Sequence, residues 1–205
     1  MSRTSDPELL VLHAVRLLGV ADDQAVANRF ALDLAITKEL LLDNQAFGWI
    51  TWSEFAGIGG WSLTAAGKAQ NERLLAAELT DATVHAVHED FLPFNARLQA
   101  ACTRWQLRPT QADPLAFNDH TDPAWDAEVL EELTEIGQAL KGLAWRLTEA
   151  AVRFDGYDRR FANALDRAHA GETAWIDSTS VDSCHRVWFE LHEDLVATLG
   201  ITRGA

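Results

Sequence analysis

The chain is short of cysteine, of positive charge and of long apolar runs, and each shortage removes a class of function. Only two cysteines occur, Cys102 and Cys184, with no C-x-x-C spacing between or around them. That argues against a zinc or redox pair and leaves two buried thiols as the expectation. No run of about 18 uninterrupted apolar residues exists, so no membrane-spanning helix is expected. Met1-Ser2-Arg3-Thr4-Ser5-Asp6 does not lead basic residues into an apolar export segment, which points to a cytoplasmic protein.

Basic residues number 17 against 31 acidic ones, a net charge of −14. Such a field repels nucleic acid and anionic membrane alike. The deficit is in both halves: residues 1–79 hold six Lys or Arg against ten Asp or Glu, and residues 80–205 hold eleven against twenty-one. No basic half is hidden behind an acidic one. Also absent are a nucleophile elbow, a phosphate-binding glycine loop opening a helix, a paired metal-ligand motif and a dinucleotide fingerprint. No enzyme activity and no cofactor are therefore expected.

What the sequence does have is hydrophobic content of 48% over 205 residues, enough for one large or two small cores, and eight tryptophans. Asp6-Pro7 is a good helix start, because the carboxylate can cap free N–H groups and proline is tolerated in the first turn. Leu9, Leu10, Leu12, His13, Val15, Leu17 and Leu18 then form a broad apolar face up to Gly19. Asp22 or Asp23 caps a second helix through Phe30. A third runs from about Ala35 to Phe47, where Gly48 stops it. The β-rich run Trp49–Phe55, a turn at Gly57-Ile58-Gly59-Gly60 and the returning strand Trp61–Thr64 follow, and Thr64 caps a helix to Leu79. Three helices, a hairpin and an exit helix make a winged helix.

In that fold the third helix enters the major groove and the wing touches a neighbouring groove or phosphates. The candidate DNA contacts are Thr37, Lys38, Asn44 and Gln45 on the third helix, with Arg29 and Lys68 as added basic groups. Glu39 and Asp43 share the helix, and the wing tip carries no Arg or Lys. Phosphate contacts supply most nonspecific affinity, so this composition weighs against DNA.

Beyond Asp81 the helical period dominates, and four helices are predicted at about 82–105, 123–154, 157–170 and 181–199, with a long irregular loop from Gln106 to Asp122. Pro93 is expected to kink the first of them. On that helix Val84, His88, Phe91, Asn95, Leu98, Cys102 and Trp105 fall on one stripe; on the last, Val181, Cys184, His185, Trp188, Leu191, His192, Leu195 and Leu199 do the same. Polar groups left unpartnered in a bundle cost roughly 1 to 3 kcal/mol each. His88, Asn95, His185, Trp188 and His192 are therefore candidates for a shared effector pocket, with satisfied core histidines as the alternative. A metal there would need Asp182 or Asp90, since His185 and His192 lie roughly 10 Å apart along the axis; no metal is expected. The runs Glu128, Glu131, Glu132, Glu135 and Glu190, Glu193, Asp194 read as solvated faces.

Trp61-Ser62-Leu63-Thr64-Ala65-Ala66-Gly67-Lys68 resembles the wing-to-helix passage of MarR-like winged-helix regulators. Phe91-Leu92-Pro93-Phe94-Asn95, Trp105-Gln106 and Asp182 to Glu193 resemble an actinobacterial family of small proteins described as transcriptional regulators. A similar helical module follows the mobile domain of some proteins related to phosphoenolpyruvate-utilising enzymes. The resemblance implies a DNA-binding regulator with a helical sensor. The expected architecture is thus mainly α: a winged helix at 1–79, then a C-terminal four-helix bundle at 80–205 for effector binding or dimerisation. The expected function is a homodimeric transcriptional regulator binding double-stranded DNA under control of a small effector. The rival reading is a protein-interaction module that uses the acidic winged helix and the Trp-rich hairpin and touches no DNA.

Overall fold

The structure, a computed structural model, describes residues 3–55, 57–78 and 82–201. It is mainly helical with one antiparallel hairpin. Leu79 and the expected module boundary at residues 79 and 80 lie outside the described residues. No helix among the described residues is long and apolar enough to cross a membrane.

The first compact unit comprises Met1–Val84, Glu149–Arg153 and His192–Ala205. It begins with α1 (Pro7–Leu18), α2 (Asp23–Arg29) and α3 (Leu34–Ala46), and each start has a carboxylate cap. Asp6 accepts from Glu8 N, Asp22 from Ala25 N, and Asp33 from both Ala35 N and Ile36 N. Each cap satisfies N–H groups that the first turn of a helix leaves without partners. Asp33 therefore starts the third helix, at Leu34 rather than Ala35.

Strands β1 (Ile50–Phe55) and β2 (Ile58–Leu63) pair with Trp52 opposite Trp61 and Glu54 opposite Gly59. Gly59 and Gly60, expected in the turn, lie inside β2. A bridge between Ala21 and Trp61 adds a third short segment to the hairpin, with N···O distances of 2.8 and 3.2 Å. That bridge explains Gly60, because a Cβ there would come within 2.9 Å of the Ala21 nitrogen. The exit helix α4 (Ala65–Glu78) is capped by Thr64, whose hydroxyl accepts from Gly67 N at 3.0 Å. Its first turn runs so close to Trp49 that a Cβ on Gly67 would lie 1.9 Å from the Trp49 carbonyl oxygen. The core of this winged helix is Val11, Leu12, Ala14, Val15, Val26, Leu41, Ile50 and Trp61.

The second compact unit comprises His85–Thr148 and Phe154–Leu191. The helices that contribute to it are α5 (Ala82–Gln106), α6 (Pro123–Ala150), α7 (Tyr157–His169), the four-residue α8 (Ala174–Asp177) and α9 (Cys184–Leu199). The helix α5 continues through Pro93. A 3₁₀ turn at Val152–Phe154 replaces the expected end of the second bundle helix, and α8 was not foreseen. The last helix starts at Cys184 rather than Val181 because Ser183 is its cap, its hydroxyl accepting from Arg186 N at 3.1 Å. Val129, Leu133, Ile136, Leu140 and Leu147 give α6 its buried face, and Phe91 stacks on Trp188 at 4.6 Å.

The loop after α5 is pinned rather than loose. Leu107 bridges Phe117, and buried Asn118 donates to the Trp105 carbonyl and to Asp126 at 3.1 and 2.8 Å. The two cysteines are free and buried. Burial, helped by nearby Asp177, pushes the Cys102 thiol up to about 12, and burial likewise raises Cys184, so both stay protonated.

Candidate functional site

The expected reading face is the solvent side of α3, and its composition follows from helical geometry. Thr37, Leu41 and Asn44 fall on the inner face. Thr37 is completely buried, and its hydroxyl donates to the Asp33 carbonyl at 2.8 Å; Asn44 is 6% exposed. Both were expected to touch base edges, and that assignment is corrected: packing against the core takes them away from solvent. What points outward is Ala35, Glu39, Leu42 and Ala46, flanked by Ile36, Asp43 and Phe47 on one edge and Lys38 and Gln45 on the other.

The exposed apolar groups on this surface are large. Leu42 is 59% exposed, Phe47 65%, Ile36 53% and, on the hairpin, Trp52 41%. Burying a side chain of this kind against a partner contributes roughly 1.5 to 3 kcal/mol. The basic groups are poorly placed to compensate Glu39 and Asp43. Lys38 Nζ faces Asp23 at 3.8 Å, and half-buried Arg29 lies over the Phe30 ring at 4.6 Å. Lys68 is exposed at the start of α4, where it lines a 330 Å³ cleft with Val15, Arg16, Ser62, Thr64 and Glu193. Gln45 is exposed.

No family model, no curated protein and no solved structure matches this chain. The site therefore rests on its own geometry.

Among the five residues expected to line an effector pocket, the structure joins Trp188 to Asn95. The Trp188 indole N–H donates to Asn95 Oδ1 at 3.1 Å, while its ring, 1% exposed, stacks on Phe91 and meets Phe161 edge-on. Asn95 thus answers a buried donor within its own core, which is a sufficient structural reason for an amide in the stripe. His88 and His185 are half-buried in the same unit, and His192 belongs to the first unit. Burial, and then the neighbouring charge of His85, lower the His88 imidazole from its ordinary value. Among the described residues, no group of three or more His, Cys, Asp or Glu side chains is placed to hold a metal ion.

The most heavily buried ionic chemistry lies elsewhere, in the first unit. His13 on α1 has its Nε2 3.0 Å from Asp194 Oδ1 and its Nδ1 3.3 Å from Asn71 Oδ1; His13, Asn71 and Asp194 are each 0% exposed. Arg153 Nη1 donates to Asp194, its Nε to Glu78 at 2.9 Å and its Nη2 to Thr198 at 2.7 Å. Arg16, itself buried, donates to Glu193 at 2.8 Å and to Glu72 at 3.1 Å. Burial by itself would push the Asp194 carboxyl up, but Arg153 and the His13 ring outweigh it and hold the group well below the usual carboxylate range. Burial lowers the His13 imidazole from 6.5, with Asp194 opposing and Arg153 reinforcing the shift.

Two readings of the sequence are corrected by buried ion pairs in the two units. Asp194 and Glu190 were expected on a solvated face; they are 0% and 1% exposed, because Arg153 answers the first and Arg160 and Arg186 answer the second. Glu128, Glu131 and Glu135 do face solvent, with Arg97 bridging Glu132 and Glu135 at 2.6 and 2.5 Å. His13 was placed on an apolar face with no role of its own. The available signal was an imidazole among Leu12, Ala14 and Val15 on a helix whose buried face is otherwise almost wholly aliphatic.

Proposed function

We propose that this chain is a winged-helix regulatory module that docks a protein partner through α3 and the hairpin. The observation that carries the reading is the solvent face of α3, where exposed Leu42 on one side and Ile36 and Phe47 on the other flank Glu39 and Asp43. Exposed apolar groups interleaved with carboxylates suit a partner with aliphatic or aromatic anchors and basic side chains among them. They suit a phosphate backbone poorly, since the same residues add negative charge where the duplex already has it. The net charge of −14 works in the same direction at long range.

The test is a comparison of partners on one protein sample. Leu42→Asp, at a position that contributes little to the core, should release a stoichiometric protein partner while leaving the melting temperature unchanged. A partner that stays bound to that variant removes α3 as the docking face.

A second reading, a DNA-binding regulator, is supported by the helix order that resembles MarR-like proteins and by Lys38, Gln45 and Lys68, which reach solvent on the same module. As a homodimer it would need its two α3 helices about 34 Å apart to enter successive grooves. Retardation of the promoter fragment upstream of its own coding sequence at low salt, lost in Lys38→Glu, would favour this reading over docking.

A further inference from the structure

Beside α3 the hairpin builds a cavity of 260 Å³ lined by Asp22, Asp23, Gln24, Leu34, Lys38 and Trp52. Its aromatic wall is held from two sides. Trp52 meets Trp61 edge-on at 5.1 Å and 72°, and its ring lies across Gly59 so closely that a Cβ there would fall 2.6 Å from Trp52 Cζ2. Its acidic wall is held too. Asp23 Oδ1 accepts the Trp61 indole N–H at 2.7 Å, and Asp22 Oδ1 accepts from Ala25 N at 2.8 Å. The ring that forms one wall is therefore positioned by the same tryptophan that anchors a carboxylate on the other.

The geometry points to this cavity as a seat for an arginine side chain of the docking partner, its guanidinium flat on Trp52 and forked toward Asp22 and Asp23. The assignment rests on the docking reading above and names the chemistry of the partner. A guanidinium combines a planar face for stacking on an indole with a fork of donors for carboxylates, which an ammonium does not. The protein's own cation at this place, Lys38, is 53% exposed and only within 3.8 Å of Asp23. It marks the cavity as one that attracts positive charge, while an exposed pair at that distance contributes little and yields to a better-fitting cation. The exposed Leu42, one turn beyond Lys38 on α3, supplies an apolar contact beside such an anchor in a protein interface.

The experiment titrates the whole chain with N-acetyl-argininamide and, separately, with its uncharged isostere N-acetyl-citrullinamide, following the indole N–H resonances. A saturable shift of the Trp52 resonance is expected with the arginine compound and not with the citrulline one. Asp23→Asn, which keeps an oxygen for Trp61, should weaken binding by about two- to fivefold, and Lys38→Gln, which removes the competing cation, should tighten it. Equal response to both compounds, no saturation with either, or indifference to Asp23→Asn would overturn the seat. The titration needs no partner, so its failure is separable from that of the docking face. If Leu42→Asp releases the partner but arginine does not bind, the seat falls and the docking reading stands. If arginine binds but the partner ignores Leu42→Asp, the docking face falls and the arginine seat stands.

Discussion

His13 Nε2 lies 3.0 Å from Asp194 Oδ1, and neither side chain has any exposure. Burial lowers the imidazole from 6.5, so the folded protein favours the neutral ring, which donates from Nε2 to the carboxylate. The unfolded chain takes up a proton at a higher pH than the folded one. Stability from this group is therefore fully present above about 6.5 and is lost as pH falls through the folded value. Asp194 is also depressed, so its contribution holds above 3.8 and is lost on further acidification. Urea unfolding measured from pH 8 to pH 4 should show stability falling with acid across the histidine range, and His13→Gln should flatten that first fall. His88 is lowered as well, so the difference between wild type and variant is the quantity to read. Stability that rises as pH drops from 7 to 5 would show that His13 is held charged.

Removing one charge of the cluster should cost more than removing a surface charge. Asp194→Asn leaves Arg153, whose side chain has no exposure, with Glu78 as its only full counter-charge among the contacts described, and a loss of about 3–5 kcal/mol is expected. Arg97→Met, which removes an exposed pairing with Glu132 and Glu135, should cost about 0–1 kcal/mol. Urea melts of the two variants make the comparison, and comparable losses would mean that the buried cluster is solvated. A double-mutant cycle between Arg153 and Asp194 should be strongly non-additive.

The backbone of the fold was legible because its signals are local. Asp6, Asp22 and Thr64 are caps, Gly48 is a stop at φ +74, and the alternation through the hairpin needs no long-range information. The inward or outward sense of individual polar residues on α3 was not, because Thr37 and Asn44 are small enough to be buried once their polar groups find partners. The ionic cluster was illegible for a different reason. His13, Asn71, Arg153 and Asp194 are up to 181 residues apart in sequence, and no spacing rule joins them. The local hints were a polar residue inside an apolar run, His13 between Leu12 and Ala14, and a carboxylate leading into one, Asp194 before Leu195 and Val196.

The two faces of α3 should differ sharply in their tolerance of charge. Thr37→Lys places a long cation where the native residue has no exposure, and a loss of more than about 3 kcal/mol is expected. Leu42→Lys, on the outer face, should change stability by less than about 0.5 kcal/mol. Thermal melts of both variants check this directly. Similar losses would place Leu42 against another part of the fold and remove it from any docking surface.

Asn95 and Trp188 provide a test of whether the amide answers the protein or a ligand. If its role is to accept the indole N–H, Asn95→Leu leaves a buried donor without its partner and should cost about 1–3 kcal/mol in every buffer. Trp188→Phe removes that donor, so the double variant Asn95→Leu/Trp188→Phe should recover much of the loss from Asn95→Leu, apart from the smaller ring's weaker packing on Phe91. The measurement is urea unfolding of the two single variants and the double. Recovery assigns Asn95 to the core. A loss from Asn95→Leu that Trp188→Phe leaves untouched would mean that the amide serves something other than the indole, and it would return Asn95 to the candidates for effector binding alongside His88 and His185.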